Sequence, residues 1–519
     1  MQQADQVYDV LIKGGIIYDG TLSRPYVGDI GINNVKIAAI GNLSGKAIKT
    51  IDARGLIMMP GIIDVHTHCD LTFQKLGLKR YLAYLMPSLK GNYNYLYQGV
   101  TTVVTGNCGY GYTDTEHWHN MIDSVKFGTN VYQLVPHGMI RQELFGTNQS
   151  QELNAKQLDA MKMRVAEEME KGAIGMSTGL AYAPGYLATT AEIIELAKVV
   201  RKYGGIYTSH IRDESGKPNS SGKSGVIASI EEAISIGKGA EIPVEISHLK
   251  ISEPINNTRP SQLLEIIEKA RIDGMDVTAD QYPYDATSTF VTYLLPDEFK
   301  TSTSVKRDFK SKNGKRDISK AIEKVFDYLP ADKILITMYE QKKSYEGKTL
   351  KEIAELENRF PTEAYAAMAC EEPAPMAVFF SQQIKVVREL MAQDYIITAS
   401  DGWTVPKGMT KPHPRVYGTF PRKLRKFVVD EKLMDFQLAI RSMTSMPAEK
   451  FNLKGRGKIA AGYYADIAVV NPDTIADHAT YQKPHQYSEG VIHLLINGKH
   501  SIENGKATGK RGGKAVKRA

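Results

Sequence analysis

At 519 residues, with 42% hydrophobic and 24% charged residues, the chain is too long for one small core and suits either one barrel with additions or two to three domains. The net charge of +7 is modest and sits largely in Lys300–Lys324 and in the tail Lys510–Arg518, which excludes a nucleic-acid-binding stripe and reads as solvated lysine. Three cysteines (Cys69, Cys108, Cys370) exclude a disulfide framework, no apolar run reaches the length of a membrane span, and Met1-Gln-Gln-Ala-Asp lacks the regions of a signal peptide, so a cytoplasmic location is expected unless a signal was trimmed.

Residues 7–58 alternate short apolar runs with Gly, Asp and Asn, as in Tyr8–Lys13, Gly15–Gly20, Asp29–Ile32 and Lys36–Gly41. That is the pattern of small antiparallel sheet. It returns at Ala465–Val470 and Val491–Gly498. The two flanks predict one small β domain, 1–58 with 451–519. The apolar stretch Leu56–Val65 reads as a buried strand broken once at Pro60-Gly61, and it ends in His66 and His68. Alternate residues of a strand face one way, so both imidazoles project together and offer half of a metal site.

The middle, 59–450, alternates strands with helices. Strand-like runs are Thr101–Thr105, Val131–Val135, Ile174–Ser177, Ile206–Ser209, Val244–Ser247, Asp276–Ala279, Ile334–Met338 and Tyr395–Ala399. Gln157–Lys171 and Ile193–Tyr203 have apolar residues at helical spacing, and Glu231–Ile236 is weaker. Strands alternating with helices predict an α/β fold of the (β/α)8 barrel kind. The long polar segment at about 286–333 interrupts the rhythm and reads as an insertion, either a lid over the site or a decoration.

Polar residues line up at the ends of these strands: His66 and His68, then Cys108, His210, His248 and Asp401. Each has an ordinary alternative. A single histidine is more often hydrogen-bonded core, Cys108 could be a small buried hydrophobe, and Asp401 could cap a helix. Barrel enzymes gather their active sites from such strand ends, so the joint pattern favours a metal centre. Zinc accepts imidazole nitrogen and thiolate, and three ligands leave a position for water. A carboxylate beside the metal, Asp401, can take that water's proton and pass it to a leaving amine. Lys250 follows His248 by two residues and would face the same side, where a cation can hold an anionic group.

Several motifs resemble the D-aminoacylase (N-acyl-D-amino-acid deacylase) family of the amidohydrolase superfamily. They include Pro60-Gly-Ile-Ile-Asp-Val-His-Thr-His68, Gln98-Gly-Val-Thr-Thr-Val-Val-Thr-Gly-Asn-Cys-Gly109 and Ser177-Thr-Gly-Leu-Ala-Tyr-Ala-Pro-Gly185. Ser209-His-Ile-Arg-Asp-Glu214, Ser247-His-Leu-Lys250, Asp280-Gln-Tyr-Pro-Tyr-Asp-Ala286, Ser400-Asp-Gly402 and His413–Arg422 extend the likeness over nearly the whole chain. The resemblance implies a (β/α)8 barrel with a small β-sandwich domain from both termini and an insertion. It implies tight zinc on Cys108, His210 and His248, and a weaker second metal on His66 and His68. It implies Asp401 as acid/base, with Lys250, Tyr282 and Ser288 on the substrate carboxylate, Arg415 as a further candidate there, and Tyr182 lining the pocket. The substrate class it implies is an N-acyl-D-amino acid, with dipeptides ending in a D-residue or cyclic amides as alternatives. It says nothing of oligomeric state.

One departure stands out. The family usually has an acidic residue directly after the second histidine, and here that position is Cys69, followed by Asp70. Cys69 is expected to point away from the histidine face. The Leu- and Tyr-rich stretch Leu71–Tyr97 could reshape the pocket mouth. Gly216–Ser224 resembles a phosphate loop but is one residue too long, and reads as a flexible loop. His117, His119 and His137 read as structural.

Overall fold

A computed structural model describes residues 7–75, 86–146, 152–252, 258–295 and 312–518. Part of Leu71–Tyr97 and much of the Lys-rich segment after Lys300 therefore lie outside the described residues.

In Val7–Ile17 and Tyr26–Asn33, β-branched side chains such as Ile12, Ile17, Ile30 and Ile32 point inward and are fully buried. These two strands belong to a nine-stranded sheet. It also takes Lys36–Gly41, Lys46–Asp52 and Ile57–Pro60 from the start of the chain, and four strands between Ile467 and Ala507 from its end. The sheet encloses an apolar cluster to which both ends contribute, among them Ile12, Ile32, Met58, Ile467 and Leu495.

The run Leu56–Val65 is divided between two sheets. Ile57–Pro60 pairs antiparallel with Ile467–Val470 in the small domain, and Ile62–Asp64 pairs in parallel with Val100–Thr105. Gly61 marks the crossing. Its N–H donates to the Asp466 carbonyl, and an added Cβ would lie 2.2 Å from Thr101.

Parallel strands follow around a barrel: β1 (Ile62–Asp64), β2 (Val100–Thr105), β3 (Asn130–Gln133, continued as Val135–Pro136), β4 (Gly175–Gly179), β5 (Ile206–His210), β6 (Val244–Ile246), β7 (Val277–Gln281) and β8 (Ile396–Thr398). Beyond β8 the ring closes onto the chain after β1. Asp401 N–H donates to the His66 carbonyl (2.9 Å) and His68 N–H to the Gly402 carbonyl (2.7 Å). Helices lie outside. Ala155–Glu170 starts with an Asn154/Gln157 capping box, and Thr190–Lys202 starts on the Thr189 hydroxyl. Gly225–Ala240 is a full helix where the sequence signal was weak, because it is small and apolar on most sides. A Cβ at Gly237 would sit 2.2 Å from Val244, so glycine lets this helix approach β6 closely.

Two expectations are corrected. Ile334–Met338 is not a barrel strand. It pairs antiparallel with Met376–Phe379, which also pairs with Thr287–Phe290. These strands share an apolar cluster with Val291, Leu350, Ile353 and Tyr365, so the inserted unit continues well beyond residue 333. A short continuous apolar run is equally at home in a small buried sheet and a parallel barrel, and only its partners distinguish them. The basic tail is likewise not simply solvated. Val131 N–H donates to Lys514, and Val516 N–H donates back to Val131, so the tail covers the edge of β3 while Lys514 and Lys517 stay exposed. Among the described residues no helix is long and apolar enough to cross a membrane.

Behind β8 lies a lysine with no acidic hydrogen-bond partner among the described residues. Lys423 is fully buried and donates to the Thr398 (2.6 Å) and Ser442 (2.7 Å) hydroxyls. Burial pulls its ammonium down to about 7. The unfolded chain binds that proton more readily, so this lysine's contribution to stability grows as pH rises from about 7 towards the ordinary lysine value near 10.4. Lys423→Met is expected to raise the melting temperature at pH 7 by about 2–4 °C, with the gap to wild type narrowing by pH 10. The two hydroxyls left behind already lie 3.3 Å apart and can pair. Thermal melts across pH check this, and a destabilised variant at pH 7 would contradict it.

Candidate metal centre and active site

The loop after β2 is shaped to present a thiol. Gly106, Cys108 and Gly109 all have left-handed backbones (φ 79°, 54° and 70°), which for cysteine costs on the order of 1 kcal/mol or more. Neighbours from several strands hold it. Asp70 Oδ2 accepts from Gly106 N–H (3.1 Å), Asn107 donates to the Val65 and Val104 carbonyls, and the Ser177 hydroxyl accepts from Gly109 N–H (2.9 Å) while donating to the Gly106 carbonyl. Gly179 leaves the space, since a Cβ there would meet the Cys108 carbonyl at 2.1 Å. His248 (φ 37°) and Asp401 (φ 48°) share this uncommon conformation. Strained backbone at three of the six predicted ligand and proton-carrying positions is a mark of a functional site.

The side chains converge. Cys108 Sγ lies 3.2 Å from His66 Nε2 and 3.8 Å from His248 Nε2, and His248 Nε2 lies 2.8 Å from His210 Nδ1. Asp401 Oδ1 is 3.3 Å from His68 Nε2 and 3.6 Å from His66 Nε2. Three ligand groups result: His66, His68 and Cys108; Cys108, His210 and His248; and His66, His248 and Asp401, the ligand atoms of each lying within 4.8 Å of one another. Cys108 belongs to the first two and so stands between them. The donor set of imidazoles, one thiol and one carboxylate is that of a zinc site, and the clustering of its lone-pair atoms in a buried space meets the requirement for holding a cation. Burial alone would raise the Cys108 thiol, but His66, His210 and the hydrogen bonds of His210 and His248 outweigh it and hold the thiol well below its usual value. Burial is likewise overcome at Asp401, where Arg415, His66 and His68 keep the carboxyl well below the usual carboxylate range.

The other predicted residues sit around this centre. Lys250 is buried, its ammonium lies 2.7 Å from His248 Nδ1, and it is paired with Glu214. Tyr182 packs edge-on against His210 and shares a hydrogen bond with Thr289 of the inserted unit (2.9 Å). Tyr282 lies under the Arg415 guanidinium, 4.6 Å from ring centroid to carbon. Arg415 pairs with Asp401 Oδ2 at 2.9 Å and donates to the Ser288 carbonyl at 3.3 Å, so its charge is engaged by the candidate acid/base. Tyr284 turns away and packs against His413 and Arg422. Cys69 opens a helix, packs with Phe73 and Tyr95 and belongs to none of the ligand groups, and burial pushes its thiol up to about 12. Asp70, one residue on, braces the Cys108 loop instead. His137 pairs with Glu192 (3.0 Å) apart from the ligand groups.

Sequence reasoning missed the carboxylates behind the histidines. Asp280 Oδ2 holds His66 Nδ1 at 3.0 Å, and its Oδ1 accepts from His248 N–H at 2.9 Å. Glu245 lies beside Asp280, and burial and that neighbour push it well above the usual carboxylate range. Glu214 Oε1 is 3.0 Å from His248 Nδ1. Asp280 and Glu214 each stand in a motif quoted above at a strand end, which is the signal that could have found them.

Two stretches, residues 57–241 and 343–502, match models described as amidohydrolase family. D-aminoacylase of Alcaligenes xylosoxydans xylosoxydans is 31% identical, over 100% of this chain and 99% of the relative. The chain belongs to the D-aminoacylase family. N-acyl-D-glutamate deacylase of the same organism is also 31% identical, over 94% of this chain and 93% of its own. A crystal structure of N-acyl-D-glutamate deacylase from Bordetella bronchiseptica, complexed with zinc and a phosphonate that mimics the tetrahedral intermediate, superposes with a TM-score of 0.81 at 30% identity, covering 99% of this chain and 100% of that one. The likeness in fold extends over nearly the whole chain, barrel and β sheet alike.

Proposed function

We propose that this protein is a zinc-dependent hydrolase of N-acyl-D-amino acids, releasing a carboxylate and a free D-amino acid. The observation that carries the reading is the convergence of Cys108, His210 and His248, drawn from three strand ends, beside an ionised Asp401. Cys108, His210 and His248 would hold the tighter zinc, and His66 with His68 a weaker second metal. Zinc held there supplies Lewis acidity to the scissile carbonyl and to the attacking water. Asp401, as a carboxylate, accepts the proton of that water and delivers it to the leaving nitrogen, which departs as a neutral amine. Arg415 steadies Asp401 through the exchange. Lys250, Tyr282 and Ser288 orient the substrate through its carboxylate, and Tyr182 lines the pocket near the carbonyl. Cys69 and Cys108 are buried thiols, and the site needs Cys108 reduced, which favours the cytoplasm.

A panel of N-acetyl-D- and N-acetyl-L-amino acids, dipeptides and hydantoins tests the reading with the zinc-loaded protein. The N-acetyl-D series is expected to be turned over with kcat/KM at least ~100-fold above the L series and above hydantoins. Preference for a cyclic amide or an L-substrate would overturn the assignment.

A further inference from the structure

Resting on that reading, the geometry points to Glu214 as the residue that fixes the metal-binding tautomer of His248. His248 turns Nε2 towards Cys108 (3.8 Å) and His210 (2.8 Å), so Nε2 is the nitrogen that would meet zinc. A ring that lends one nitrogen to a metal carries its proton on the other, here Nδ1. Two groups compete for Nδ1. The Lys250 ammonium lies 2.7 Å away and the Glu214 Oε1 3.0 Å away. An ammonium has donors only. Left alone beside Nδ1, it would donate to that nitrogen's lone pair and drive the ring proton onto Nε2, which blocks the ligand position.

Glu214 reverses the outcome. A carboxylate only accepts, so it takes both the ammonium's proton contact and the Nδ1–H. The same Oε1 lies 3.7 Å from His210 Nε2, too far for a hydrogen bond but close to a second ligand of the same group. Oε2 accepts from the Tyr293 hydroxyl (3.2 Å), which ties this arrangement to the inserted unit. Glu214, Lys250, His210 and His248 are each at most 4% exposed, so water does not compete for these contacts. Glu214 is therefore a positioning residue. It lets a substrate-binding lysine stand next to a metal ligand without disabling it.

The test is zinc affinity, measured on the full chain by competition with a chromophoric chelator, with circular dichroism confirming the fold. Glu214→Gln is expected to weaken zinc 10–100-fold, the range seen when partners of metal-bound histidines are removed. Glu214→Gln with Lys250→Met is expected to return to within about threefold of wild type, because the glutamine oxygen can accept Nδ1–H once the ammonium is gone. Lys250→Met alone should bind zinc no more weakly than wild type. Wild-type affinity in Glu214→Gln, no recovery in the double variant, or a tenfold loss in Lys250→Met each overturns the inference. A wild-type chain that binds no zinc overturns the functional reading and this inference together.

Discussion

Cys108→Ala is expected to lose its tightly held zinc on dialysis and to fall in kcat by about 1,000-fold or more. The thiol is shared by two of the ligand groups, and it is the only sulfur in either. Removing it leaves His210 and His248 as a two-nitrogen fragment, and takes from His66 its neighbour at 3.2 Å. Two imidazoles do not hold zinc as three ligands do, and alanine offers no replacement. The fold should survive, because the loop is held by Asp70, Asn107 and Ser177 rather than by the thiol. Relief of a left-handed cysteine does not arise either, since alanine is strained there too. Metal analysis of the dialysed protein, read beside kcat, checks the prediction. Retained zinc at normal turnover would remove the metal assignment, whereas lost zinc with retained turnover would show a metal-free route.

The second large effect separates chemistry from binding. Asp401→Asn is expected to keep zinc and lower kcat by roughly 100- to 10,000-fold, the span set by loss of a general acid–base group. Asparagine matches the shape and can still meet the histidines, but it cannot take up and return a proton. Arg415 complicates the variant in a way that can be checked. Its guanidinium, 2.9 Å from Asp401 and 4% exposed, loses its counter-charge in the asparagine protein. Loss of stability is therefore expected alongside the loss of turnover. Asp401→Asn with Arg415→Met should recover the stability and none of the kcat. If the single variant turns over at near the wild-type rate while holding zinc, another group moves the proton.

The sequence alone carried a good deal of this. Histidines two apart at the end of an apolar strand must share a face, because strand geometry alternates, and His66 and His68 do. The strand-and-helix alternation defined a barrel, and strand ends defined where its chemistry lies. These inferences succeed because they depend on local period and on the direction of a strand, both of which are written in neighbouring residues.

Tertiary structure decided what depends on partners distant in the chain. Ile334–Met338 has the composition of a barrel strand, and only its antiparallel pairing with Met376–Phe379 assigns it to the inserted unit. The basic tail became ordered because β3 had a free edge for it. Most of all, the charge pairing could not be read in advance. Lys250 with Glu214, Arg415 with Asp401, and Asp280 bridging His66 and His248 join residues up to 214 positions apart. Each is a matter of which buried charge meets which, and burial makes such pairing obligatory while leaving the choice of partner to the fold.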